Sequence, residues 1–245
     1  MAVAQDDALG SPHAHLGWAY TLKGEYDKAL AEGERAIALD PNGADCHAFY
    51  ARSLDRAGRP QEAIPMFQKA IRLNPYCPAH YYQNFGNALR NAGRFEEAVS
   101  AYKKAIPLAP DNIWTHFGLA VTYTLAGRPQ EAIPFYQKAI QLNPSGQFYF
   151  YTNFGNALRD AGRFEEAVSA YKEAFRLAPD NLPTRLALTV TYTMMGSEKE
   201  ARAEAEEVLR INSKFLLDSF AKTLRYKDQS QNDKIVNALS KAGLK

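Results

Sequence analysis

Glycine recurs along this chain at Gly24, Gly58, Gly93, Gly127, Gly162 and Gly196, at intervals of 34, 35, 34, 35 and 34 residues. A period of that length belongs to a stack of small supersecondary units, none able to bury its apolar face alone and each completed by its neighbours. Counting domains by length therefore loses its meaning, and function is expected on a surface that the stack presents.

Other residues keep the same rhythm. Five positions after each glycine stands an alanine (Ala29, Ala63, Ala98, Ala132, Ala167, Ala201), and twelve further on come Pro41, Pro75, Pro110, Pro144 and Pro179, with Ser213 breaking the series. Seven residues before the glycine the side chain is mostly small: Gly17, Ala51, Gly86, Ala120 and Gly155, with Thr189 in the sixth unit. Between these marks the apolar residues, such as Ala98, Tyr102, Ala105 and Ile106, follow helical spacing. Each unit reads as a helical hairpin with glycine in its turn and small residues where two helices approach closely.

This pattern resembles the tetratricopeptide repeat over nearly the whole chain, in a bacterial type. The resemblance implies an all-α, right-handed α-solenoid of six units, 10–43, 44–77, 79–112, 113–146, 148–181 and 182–215, preceded by an extension over 1–9. The RNA-reading pentatricopeptide repeat has a similar length but does not match the Ala and Pro positions. Residues 216–245 leave the pattern, yet Leu216, Leu217, Phe220 and Leu224 form one apolar stripe and Ile235, Val236 and Leu239 another, as expected of capping helices with Asp218, Lys222 and Arg225 outside. This last stretch also resembles the end of repeat regions linked to bacterial nucleotidyl cyclases.

A second periodicity lies above the first. Residues 44–112 and 113–181 are related by a shift of 69, with NFGNALR at 84 and 153 and AGRFEEAVSAYK at 92 and 161. A two-unit block has been duplicated, either under selection for function or as a bare copy. Pro65 and Pro134 fall inside second helices, where a lost hydrogen bond or a bend is expected, whereas Pro60 and Pro129 suit a first helical position.

Composition narrows the functional classes. Lys and Arg number 29 against 27 Asp and Glu, far from the basic footprint of a nucleic-acid binder. Cys46 and Cys77 have no metal spacing and read as buried free thiols. The start of the chain lacks a basic stretch followed by an apolar one, and no run is long enough to span a bilayer, so a cytoplasmic protein without membrane contact is the expectation. No Glu-x-x-His pair, GxSxG, Walker loop or GxGxxG occurs, and the paired glutamates, such as Glu96 and Glu97, open helices where the dipole favours them. Neither catalysis nor a cofactor or metal is expected. His13, His47 and His116 fall at one repeat position that, by the resemblance, packs between helices.

The resemblance further implies that the first helix of each unit lines a concave groove. Carried onto this chain, the groove positions give Arg52, Asp55 and Arg56 in unit two; His80, Gln83, Asn84, Asn87, Arg90 and Asn91 in unit three; Trp114, Phe117, Val121 and Leu125 in unit four; Tyr149, Thr152, Asn153, Asn156, Arg159 and Asp160 in unit five; and Leu186, Val190 and Met194 in unit six. Twelve are the candidate peptide-binding residues: Arg52, Arg56, Asn84, Asn87, Arg90, Trp114, Phe117, Val121, Tyr149, Asn153, Asn156 and Arg159. An asparagine amide both donates and accepts, so it suits an extended backbone. Arg56, Arg90 and Arg159 suit a carboxylate, and Trp114 and Phe117 suit an apolar anchor. The carboxylate clamp of chaperone-binding repeats is ruled out, since Ala14, Trp18 and Phe49 stand at its places. A protein- or peptide-binding scaffold is the expectation; the alternatives are a self-assembling scaffold and a regulatory segment of a larger signalling protein.

Overall fold

The structure, a computed structural model, describes residues 3–144 and 146–245, with side chains from Gly10 onward. The side chains of the expected extension over 1–9 lie outside the described residues, although the helical backbone begins at Val3. Among the described residues the fold is an α-solenoid of helical hairpins with no strand. The chain forms two compact units, one up to Gly118 and one from Leu119.

The first unit holds three hairpins: α1 (Val3–Leu22) with α2 (Tyr26–Leu39), α3 (Ala44–Arg56) with α4 (Pro60–Leu73), and α5 (Ala79–Asn91) with α6 (Phe95–Ala105). The middle hairpin shows how they stack: α3 packs on its own partner α4, on the preceding second helix α2 and on the first helices α1 and α5. The start of α7 (Ile113–Leu125) completes this unit.

The second unit contains the end of α7, then α8 (Pro129–Leu142), α9 (Phe148–Asp160), α10 (Phe164–Leu177), α11 (Leu182–Met195) and α12 (Glu198–Ile211). Two further helices, α13 (Leu217–Ala221) and α14 (Gln229–Lys241), follow. α14 packs on α11, and Ile235, Ala238 and Leu239 enter one apolar cluster with Leu186, Val190, Val208, Phe215 and Leu217.

The periodic glycines have a backbone reason. All six have φ between 76° and 78°, and a Cβ built on any of them would meet nothing within 4 Å. Left-handed backbone, which side chains disfavour, is therefore what selects glycine here. The residue after each glycine closes the turn: the Arg59 amide donates to the Leu54 carbonyl at 2.9 Å, and Arg163 does the same to Leu158 at 2.8 Å. This is the Schellman arrangement, which satisfies a carbonyl left over at the helix end. The second helix then opens with a repeated forked pair, as Arg59 grips Glu62 and Arg163 grips Glu166.

The periodic alanines, from Ala29 to Ala201, are all buried at 2 % exposure or less. The small residues before the turn have a different purpose from the turn glycines. A Cβ on Gly155 would lie 2.4 Å from the Tyr171 ring, and one on Gly86 would lie 3.0 Å from the Tyr102 ring. Fully buried tyrosines of the second helices fill the space that these glycines leave.

Helices α4 and α8 run on through Pro65 and Pro134. Each proline lacks the amide that would bond the carbonyl four residues earlier, but Pro65, Pro134 and the carbonyl owners Gln61 and Gln130 are exposed, where water can take the bond. Pro107 has the larger effect. α6 stops at Ala105 and Ile106–Leu108 form one 3-10 turn, whereas α10, with Arg176 at the equivalent place, continues to Leu177.

Candidate functional site

In the first unit, α3 and α5 turn polar groove positions, and the start of α7 apolar ones, into one cleft of about 600 Å³. Seven of the twelve candidate residues line it: Arg52, Arg56, Asn84, Asn87, Arg90, Trp114 and Phe117. Asp55, Gln83 and Asn91 stand among them, with Gly118 at one edge.

Several of the polar groups are held in place. The Arg52 guanidinium lies 3.6 Å from the centre of the Trp18 ring, a cation–π stack that fixes the side chain flat. Burial, with Arg56 adding repulsion, pulls its pKa down to about 10, so the group favours an incoming negative charge. The Asp55 carboxylate accepts from the Asn91 amide at 2.9 Å, and burial raises its pKa. The Tyr102 hydroxyl donates to Asn87 Oδ1 at 2.7 Å and accepts from Arg90 at 3.2 Å. Trp114 is 49 % exposed, a large apolar face open to a ligand.

Asn84 is partly committed. Its amide donates to the His80 carbonyl one turn back at 2.8 Å, and Asn153 does the same to Tyr149 at 2.8 Å. Each keeps its amide oxygen and one further N–H for a partner.

The second unit repeats the arrangement. Tyr149, Asn153, Asn156 and Arg159 line a second cleft of about 600 Å³, together with Leu182, Leu186 and Val190 of α11. Val121, half-buried on α7, belongs to neither lining.

One candidate departs from the sequence reading. Arg159 is not open to a peptide: it is 4 % exposed, pairs with Asp160 at 2.8 Å, and donates to the Tyr226 hydroxyl at 3.2 Å. Burial alone would lower its pKa, but Asp160, with Tyr171 and Tyr226, holds it above the ordinary arginine value. The Tyr226 hydroxyl in turn donates to Asp160 Oδ2 at 2.6 Å. Phe220 and Leu224 line the same cleft, so the C-terminal segment turns into it as well as packing on α11. Sequence reasoning missed Trp18, Tyr102 and Tyr226. The shift of 69 that pairs Tyr102 with Tyr171 carried a signal for the second of these, and Tyr226, outside every repeat, carried none.

Of the histidines, His47 and His116 are buried, and their Nε2 atoms face the Pro41 and Pro110 carbonyls at 2.9 and 2.6 Å. His13 pairs with Glu32 at 2.5 Å. Among the described residues no group of three or more His, Cys, Asp or Glu side chains could hold a metal, and no helix is long and apolar enough to cross a membrane.

Two family models described as tetratricopeptide repeat match the chain, one over 76–145 and the other over 20–83 and 158–215. The chain belongs to the tetratricopeptide-repeat family. Such repeats are protein-interaction scaffolds. This repeat protein is similar in fold to Pseudomonas aeruginosa pilF, with a TM-score of 0.70 at 20 % identity over 86 % of this chain and 95 % of that one. The Cut9–Hcn1 hetero-tetramer of the APC/C gives a TM-score of 0.74 at 18 % identity, over 96 % of this chain and 42 % of that one. YrrB, a TPR protein with an unusual peptide-binding site, gives 0.61 at 22 % identity, over 78 % and 98 %. Among curated proteins, human protein O-mannosyl-transferase TMTC1 is 31 % identical over 99 residues, which cover 40 % of this repeat chain and 10 % of that protein.

Proposed function

We propose that this chain is a non-catalytic scaffold that holds an extended segment of a protein partner in the cleft of its first unit. The observation that carries the reading is the joint presence there of stacked or tethered arginines, asparagines with spare amide groups and the exposed face of Trp114. Polar rungs fix the direction of a bound backbone, each contributing about 0.5 to 1.5 kcal/mol, while an aromatic anchor contributes about 1.5 to 3 kcal/mol. YrrB, a TPR protein with an unusual peptide-binding site, and the Cut9–Hcn1 hetero-tetramer, both similar in fold, support this reading.

The test is a peptide library screened against the wild type, Trp114→Ala and Arg56→Ala. Ligands of the wild type are expected to bind the variants at least about tenfold more weakly. Retention of every ligand at equal affinity by both variants would remove the cleft from the function. Light scattering at tens of micromolar chain separates the competing case, in which the partner is a second copy.

A further inference from the structure

The duplicated block places the same residues in two clefts, and among the described residues only the second receives an occupant from this chain itself. Asn84, Asn87 and Arg90 of the first cleft correspond to Asn153, Asn156 and Arg159 of the second, and the buried Tyr102 behind the first to Tyr171 behind the second. The shared network is present in both, since Tyr102 donates to Asn87 and Tyr171 donates to Asn156.

The occupant of the second cleft is a tyrosine on irregular backbone. Residues 224–226 have no regular secondary structure. The Tyr226 hydroxyl meets Arg159 and Asp160, and the next amide, of Lys227, donates to the Leu125 carbonyl at the end of α7 at 2.8 Å. Every one of these three anchoring groups has a counterpart in the first cleft. Arg90 stands for Arg159, the carbonyl of Arg56 for that of Leu125, and Asn91, tied to the Asp55 carboxylate, for Asp160.

The flanking charge differs. Arg52 and Arg56 of the first cleft stand where the second block has Val121 and Leu125. Three arginines, with Arg90, face one aspartate. The segment in the second cleft reads Arg225-Tyr226-Lys227, and those two cations would be repelled by the first.

We infer that the first cleft binds a tyrosine flanked by acidic residues in an extended segment of a partner protein. The phenol hydroxyl donates to Asp55 or the Asn91 amide oxygen and accepts from Arg90, and the acidic neighbours pair with Arg52 and Arg56. The inference rests on the proposed scaffold function and narrows it to a ligand chemistry. A second copy of this chain, offering its own basic-flanked tyrosine, is the disfavoured occupant.

Both tryptophans of the chain serve this cleft, Trp114 in its lining and Trp18 beneath Arg52, so intrinsic fluorescence reports binding directly. Three synthetic peptides with one extended frame suffice as probes: Glu-Asp-Tyr-Glu-Asp, the same with Phe for Tyr, and Arg-Tyr-Lys flanked by neutral residues. The acidic tyrosine peptide is expected to bind about tenfold tighter than either other peptide, because it alone makes charge-assisted hydrogen bonds at both positions. Arg52→Gln combined with Arg56→Gln is expected to abolish the preference for acidic flanks and to keep the preference for Tyr over Phe. Equal binding of the Tyr and Phe peptides, or of the acidic and basic ones, overturns the inference. If library peptides without tyrosine bind in a Trp114-dependent way while the acidic tyrosine peptide does not, the scaffold function stands and this ligand chemistry falls. If neither the library nor the probes bind, both fall.

Discussion

The hydroxyl of Tyr226 donates to Oδ2 of Asp160 at 2.6 Å, across 66 residues of sequence, and so ties the C-terminal segment into a cleft built by α9 and α11. The same hydroxyl accepts from Arg159, which is 4 % exposed. Truncating it leaves a buried ion pair with one partner fewer. Tyr226→Phe is expected to destabilise the fold by about 1.5 to 3 kcal/mol, the range for a hydrogen bond to a charged group. Urea denaturation with an unchanged m-value would show it, and an unchanged midpoint would show that the segment is not anchored by this contact.

The hairpins were legible in the sequence because each depends on nearby residues. The turn glycines, the alanines five positions later and the prolines that close the units act within one hairpin, so a single chain reveals them. Arg159 was not legible as a buried residue. Its position in the repeat matches that of Arg90, and what separates the two is Tyr226, 67 residues away and outside every repeat. The apolar stripe from Leu217 to Leu224 announced that something would be covered, but amphipathicity does not state which surface. Leu216, counted in that stripe, is 62 % exposed. Pro107 was legible and went unread: the copy carries Arg176 there, and α6 ends one turn earlier than α10.

Two glycines seven residues apart give a separable pair of substitutions. Gly155→Ala puts a Cβ within 2.4 Å of the Tyr171 ring, an overpacking expected to cost about 1 to 3 kcal/mol. Gly162→Ala meets no atom within 4 Å but forces a side chain to φ near 78°, expected to cost about 1 to 2 kcal/mol. Asparagine tells them apart, since it tolerates left-handed backbone. Gly162→Asn is expected to recover most of the loss, whereas Gly155→Asn is expected to be worse than Gly155→Ala. Equal rescue at both sites in thermal denaturation would show that sterics do not govern position 155.

Acid should weaken the first unit through His47. Burial, with Lys69 adding to it, lowers its pKa, and the Pro41 carbonyl at Nε2 and Asp40 only partly oppose this. The unfolded chain therefore takes up the proton first as pH falls. Stability is full above the ordinary histidine pKa of about 6.5 and declines below it, until the folded ring also titrates. His80, lowered by burial and by Arg52, adds in the same direction. His47→Gln is expected to flatten the slope of stability between about pH 7 and pH 5. Equal slopes for the two proteins in urea titrations would assign the acid sensitivity elsewhere.

The two cysteines should report opening of the first unit. Cys46 is 1 % and Cys77 3 % exposed, and burial, with Asp40 and Asp45 adding, pushes the Cys46 thiol up to about 11. Only about one part in a thousand is thiolate at about pH 8, against about a quarter of an ordinary thiol. Burial raises Cys77 as well. Ellman's reagent at that pH is therefore expected to titrate neither thiol quickly in the native protein and both in urea. Cys46 lies between α1, through Ala14, and α2, through Ala36, so its labelling rate measures separation of the first hairpin from α3. Rapid labelling of Cys46 in the native protein, at a rate independent of low urea, would mean that this contact is open without unfolding.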